Sequence, residues 1–149
     1  MRKGRSSEAL LWSIALPGFG QLLNKKYLKG IILIALEILI NMKSNLNEVL
    51  ILSFQGNIRR SVEATDYQWL MFYPCVYMFA IWDAYRDANE DLDPFAYFPF
   101  VFAAYFATLG MMYSSRYIFG YLLGPVWLTL MFCFFGIGVG TAIRAKGRR

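Results

Sequence analysis

The chain has 149 residues, of which 58% are hydrophobic and 18% aromatic, against about 45–50% apolar in an ordinary soluble domain. Fifteen Lys and Arg stand against ten Asp and Glu, a net charge of +5, and there is no histidine. This balance argues against an ordinary soluble domain. The absence of imidazole removes the commonest general base and neutral metal ligand, and no P-loop, nucleophile elbow, Cys/His metal cluster or nucleic-acid motif occurs.

The apolar residues fall into blocks. The first, "ALLWSIALPGFGQLL" at 9–23, would make a straight helix of about 22 Å, short of the ~30 Å hydrocarbon core of a bilayer. Pro17 removes a backbone donor, and Gly18 and Gly20 weaken the helix around it. A re-entrant or interfacial helical hairpin is therefore predicted. The basic start mimics a secretory signal, but no A-x-A cleavage site follows, so the segment is expected to be retained.

The second block, 28–42 and on to about 46, carries Glu37 near its middle. A carboxyl at the centre of a span costs about 2.5–3.5 kcal/mol on insertion scales, which makes it a functional-site hypothesis. Glu37 reads as a proton or cation relay, or as a buried salt bridge to a partner subunit. The competing reading is a protonated carboxyl bonded to Gln21, Asn24, a Tyr or a Trp as packing glue. The polar connection 43–66 follows, and "NEVLILSFQGNIRRSVEA" within it suits an interfacial helix.

The third block, 67–84, runs into "WDAYRDANEDLDP". Asp83, Asp87 and Asp91 are spaced by four, so a continuing helix would put them on one face. Such carboxylates suit Mg²⁺ or Ca²⁺. A single acidic cluster is nevertheless fewer than metal-dependent lipid-phosphate enzymes commonly use, and an Arg86–Glu90 pair points to a hydrated loop. Asp93-Pro94 reads as a turn. The fourth block is 95–113. The fifth, 117–143, contains the small-xxx-small pairs Gly120/Gly124 and Gly136/Gly140, suited to close helix packing. That packing would lie within the bundle, against another membrane protein, or against a second copy. Tyr67, Trp69, Tyr97, Tyr113 and Tyr117 lie near block ends, where headgroups attract amphipathic rings. Cys75 and Cys133 lie inside apolar blocks and read as small hydrophobes.

Charge placement chooses a topology. If all blocks span, Lys and Arg divide seven against eight between the two sides. If the first block dips and returns, eleven fall on the side of the termini, leaving Lys43, Arg59, Arg60 and Arg116 opposite. The positive-inside rule favours the second arrangement. The expected fold is an all-α membrane protein of one domain, residues 1–149. It has four transmembrane helices at about 28–46, 67–84, 95–113 and 117–143, an N-terminal re-entrant or interfacial segment, and both termini cytoplasmic. "NKKYLKG" with Arg2, Lys3 and Arg5 forms a cationic collar suited to anionic lipid headgroups.

"PGFGQLLNKKYLKG" followed later by "WDAYRDA" resembles the small multi-span bacterial membrane proteins related to the TM2 domain. Gly18 and Gly20 fall where that motif has glycines, and Tyr27 stands for its aromatic. The motif's His and Phe-Tyr are absent, and the turn is a few residues longer. The resemblance implies a bacterial inner-membrane protein with a Gly-rich first segment, a polar turn and a second helix, and no catalytic residue or cofactor. In that pattern both segments span, which the charge count opposes. The leading expectation for function is a non-catalytic accessory or interaction subunit of a membrane complex. The alternatives are a transporter or channel component passing a proton or small solute near Glu37, and a divalent-cation-dependent lipid-modifying enzyme.

Overall fold

Proline marks the first break of the chain and the starts of its last three helices. A computed structural model describes residues 2–89 and 91–147, with side chains from residue 6 onward. Its helices are α1 (Arg2–Ala15), α2 (Phe19–Leu23), α3 (Tyr27–Ser44), α4 (Leu46–Phe54), α5 (Ile58–Ala64), α6 (Tyr67–Leu70), α7 (Tyr73–Asp87), α8 (Phe98–Tyr113) and α9 (Gly124–Gly147). A two-stranded antiparallel ribbon, β1 (Tyr117–Ile118) and β2 (Tyr121–Leu122), precedes α9. Pro74, Pro99 and Pro125 each occupy the second position of α7, α8 and α9, where a missing N–H costs nothing. Pro17 separates α1 from α2, and Pro94 lies in the α7–α8 loop.

The first block doubles back. Pro17 offers no N–H to the preceding turn, and Gly18 takes φ +104°, a left-handed conformation that glycine adopts without strain. The chain then returns so closely that a Cβ on Gly20 would collide with Ser13 Oγ and lie 2.5 Å from the Ala9 carbonyl oxygen. In a straight helix residues 9 and 20 would stand about 16 Å apart.

The longer helices run antiparallel. The start of α3 meets the end of α7, and its end meets α6, where the Asp66 N–H donates to the Ser44 carbonyl at 3.3 Å. Trp82 and Tyr85 near the end of α7 contact Phe100 near the start of α8. Helices α8 and α9 form the tightest pair, because small residues line both faces. Ala103, Ala107 and Gly110 are buried on α8, against Cys133, Gly136 and Gly140 on α9. The α3 start, the α7 end, the α8 start and the α9 end therefore share one end of the bundle. Ser6 near the start of α1 joins them through Asn89, 2.7 Å away.

Several expectations are corrected. One described helix, Gly124–Gly147, is long and apolar enough to cross a bilayer by itself, so four spans of that kind are not observed. Helices α7 and α8 have 15 and 16 residues, and α3, with 18, carries Lys29, Glu37 and Lys43. Residues 117–122 are not helical. Phe119 and Gly120 take φ +50° and +84°, making the two-residue primed turn that suits a hairpin. Gly120 is thus a turn residue with open space around it, and Gly124 opens α9 at φ +74° against Ile58. They are not a helix-packing pair. Gly136 and Gly140 do pack a helix, but within the chain: a Cβ on either would strike the Phe102 or Phe98 carbonyl. The 43–66 connection folds as α4 and α5, hinged at Gly56 and closed by a 2.7 Å Ser53–Ser61 hydroxyl bond. Both cysteines are free.

Replacing Gly136 or Gly140 by Val is expected to destabilise the chain by about 1–3 kcal/mol through overpacking. Gly138→Ala, where nothing lies within 4 Å, should leave stability unchanged or raise it by up to about 1 kcal/mol. Melting temperatures of the three variants check this.

Candidate functional site

Among the described residues two carboxyls are buried, and they are treated in opposite ways. Asp83, on the last turns of α7, has a side chain only 2% exposed. Burying an ionised carboxylate is costly unless donors surround it. Here Oδ1 accepts from Lys29 Nζ at 2.8 Å and from Arg86 Nη2 at 2.6 Å, and Oδ2 accepts from Gln21 Nε2 at 3.2 Å. Gln21, itself fully buried, also donates to the Ala80 carbonyl at 2.8 Å, and Asn24 donates to the Ala84 carbonyl at 2.8 Å. Lys29 reaches on to Asp87 at 2.9 Å. This polar knot ties the α2–α3 turn to the end of α7.

The knot changes the reading of the acidic motif. Helix α7 ends at Asp87, so Asp91 does not continue the face of Asp83 and Asp87, and it is exposed. Lys29 and Arg86 occupy the positions around Asp83 and Asp87 that a cation would take, and the four charges cancel. Among the described residues no group of three His, Cys, Asp or Glu is placed to hold a metal. Lys29 is therefore engaged by Asp83 and Asp87 although its side chain is 45% exposed, while Lys25 and Lys26 are exposed as well. The expected Arg86–Glu90 pair lies outside the described residues, as do the side chains of Arg2, Lys3 and Arg5.

Glu37 is the second carboxyl, 7% exposed at the middle of α3. It lies on the helix's inward stripe with Gly30, Leu33, Ile40 and Ser44. Tyr73 supplies the hydroxyl beside it. Its Oε2 is fully buried with no hydrogen-bond partner. Gln21 and Asn24, expected as partners of Glu37, are instead bonded to α7.

Glu37 lines a cavity of about 330 Å³. Pro17, at the tip of the α1–α2 hairpin, lies on one side, and Leu46, Leu50 and Phe54 of α4 on another. Tyr73, Tyr77, Met111, Thr129 and Cys133 contribute to the walls. The Tyr73 and Tyr77 rings stack at 5.5 Å. Tyr77 donates its hydroxyl to the Ile14 carbonyl at 2.6 Å, capping an end of α1 that the Pro17 break leaves open. The lining is otherwise apolar.

Comparison with protein-family models, curated proteins and solved structures finds no match. Glu37 was legible as a lone acid in an apolar block. The roles of Gln21, Lys29, Tyr73 and Tyr77 were not. For Gln21 a signal existed: it is the one amide in the first apolar block.

Asp83→Ala is expected to cost about 3 kcal/mol, the lower end for breaking a buried pair, because both cations also reach water. Asp87→Ala should cost under about 1 kcal/mol. Denaturant midpoints of the two variants measure the difference. The double variant Glu37→Leu, Tyr73→Phe should be as stable as the parent or more so by up to about 2 kcal/mol, since it removes a buried polar atom with no partner together with the hydroxyl beside it. A comparable loss of stability would instead mark Glu37 as packing glue.

Proposed function

We propose that the chain is a small polytopic protein of a bacterial inner membrane, non-catalytic, serving as an accessory or interaction subunit. The observation that carries the membrane reading is that its surface is inside out. On α3 the inward stripe holds Glu37 and Ser44, while Ile31, Ile32, Leu36, Ile38 and Leu39 face outward. On α9, Met131, Phe134 and Phe135 are 59–68% exposed. An apolar surface of this extent would drive aggregation in water, whereas lipid solvates it.

In this reading α3, α6 with α7, α8 and α9 cross the bilayer, and α1–α2 dips in and returns. The shorter helices are accommodated by flanking turns, snorkelling ends and local thinning. The ribbon exposes Tyr117, Phe119 and Tyr121, which suits a headgroup region. Lys25, Lys26, Arg86, Arg144 and Lys146 lie toward the end of the bundle shared by the α3 start and the α9 end, which the charge rule makes cytoplasmic. The two stretches that carry the TM2-like resemblance meet in the Asp83 knot. Since α8 already covers Gly136 and Gly140, partner contact falls to the outward Met131, Phe134 and Phe135 face of α9. A second reading, passage of a proton or small solute near Glu37, is favoured by the cavity that this carboxyl faces.

Topology reporters fused after Gly56 and at the C-terminus should report opposite sides of the membrane. The same side for both would contradict the four-span arrangement.

A further inference from the structure

The Glu37 cavity brings together two features: partly open apolar space and a buried polar atom with no hydrogen-bond partner. Buried polar atoms are almost always hydrogen-bonded. Asp83 follows that rule with donors from Lys29, Arg86 and Gln21, whereas Glu37 Oε2 has none. Ser13 Oγ, Gln21 Oε1 and Ser44 Oγ are also without a partner, but of these four residues Glu37 is the one that lines a cavity. The groove between α3 and α7, about 460 Å³, offers no such opening, because its polar groups, Lys29 and Asp83, already bond each other.

We propose that the Glu37 cavity is a binding site for a protonated lipophilic amine, whose ammonium N–H donates to Glu37 Oε2 and whose hydrocarbon body fills the apolar space. Three observations fit this class of ligand. The one acidic group among the described lining residues is an acceptor when ionised, so it favours a donor carrying positive charge. Among the described residues no cation lines the cavity. The stacked Tyr73 and Tyr77 rings beside the carboxyl offer π faces, to which an ammonium is attracted. A neutral donor of the same shape would bond Oε2 without charge assistance, and an anionic ligand would be repelled. At about 30 Å³ per water-sized group, 330 Å³ holds about eleven such groups, the heavy-atom count of N,N-dimethyloctylamine. The inference goes beyond the accessory-subunit reading, and it does not depend on which way the chain faces the bilayer.

The test uses the full wild-type chain in dodecylmaltoside micelles, treated with dicyclohexylcarbodiimide and mapped by peptide mass. The reagent adds to an accessible protonated carboxyl in apolar surroundings, and Glu37 should carry the adduct. N,N-dimethyloctylamine, protonated at neutral pH and unable as a tertiary amine to form an amide, should slow labelling at Glu37 by tenfold or more. A charge-assisted hydrogen bond of about 1.5–3 kcal/mol gives an effect of that size. Octanol at the same micellar mole fraction should leave the rate within about twofold, since it fills space without charge. Equal protection by both compounds would reduce the site to an apolar void and overturn the proposal. So would no protection by the amine, or no adduct at Glu37. Because the comparison is made on the unaltered chain in micelles, a failed topology assignment would leave its outcome intact.

Discussion

The Asp83 carboxylate fixes how this chain is threaded. An ionised group buried to 2% exposure needs donors brought to it. Two of those donors come from far away in sequence, Gln21 at a separation of 62 residues and Lys29 at 54. The α2–α3 turn must therefore sit at the end of α7. Once it does, α1 has no room to pass through the bundle. It starts beside Asn89, reaches Tyr77, and turns back at Pro17 so that Gln21 and Asn24 return to Ala80 and Ala84. The hairpin is as much a consequence of electrostatics as of the proline.

The hairpin's limited depth has a second effect. Its tip stops at the level of Glu37, and α4 packs from the far end of the bundle. Between tip and α4 the interior is left partly empty. The same helices thus carry two carboxyls in different settings: one neutralised by two cations and serving as a structural tie, the other buried beside the cavity with one oxygen unbonded. A lone acid left this way lowers stability, as groups at functional sites commonly do.

What could be read from the sequence was local. Apolar block length located α3, α7, α8 and most of α9, and the Pro17–Gly18 pair located the reversal, because both depend only on neighbouring residues. Glu37 was visible as a charge with no local compensation. The misreadings came where two local patterns compete. Residues 117–122 continue an apolar run, yet Phe119-Gly120 is a two-residue turn and Gly124-Pro125 a helix start, and those signals outweighed hydropathy. Likewise the four-residue spacing of Asp83, Asp87 and Asp91 has meaning only while the helix lasts, and α7 stops at Asp87. The pairing of Lys29 with Asp83 could not be read at all, since spacing along the chain says nothing about which helix ends meet across it.

The central claim is that the N-terminal segment returns to the end of α7 where it began. Cysteine pairs in a background lacking Cys75 and Cys133 test it most directly: Ser6→Cys with Asn89→Cys in one variant, Asn24→Cys with Ala84→Cys in another, each treated with a short thiol crosslinker. Both pairs should crosslink within one molecule, because residues 6 and 24 contact positions only five apart on and just beyond α7. Crosslinking of the second pair without the first would mean that the segment passes straight through, and would contradict the account.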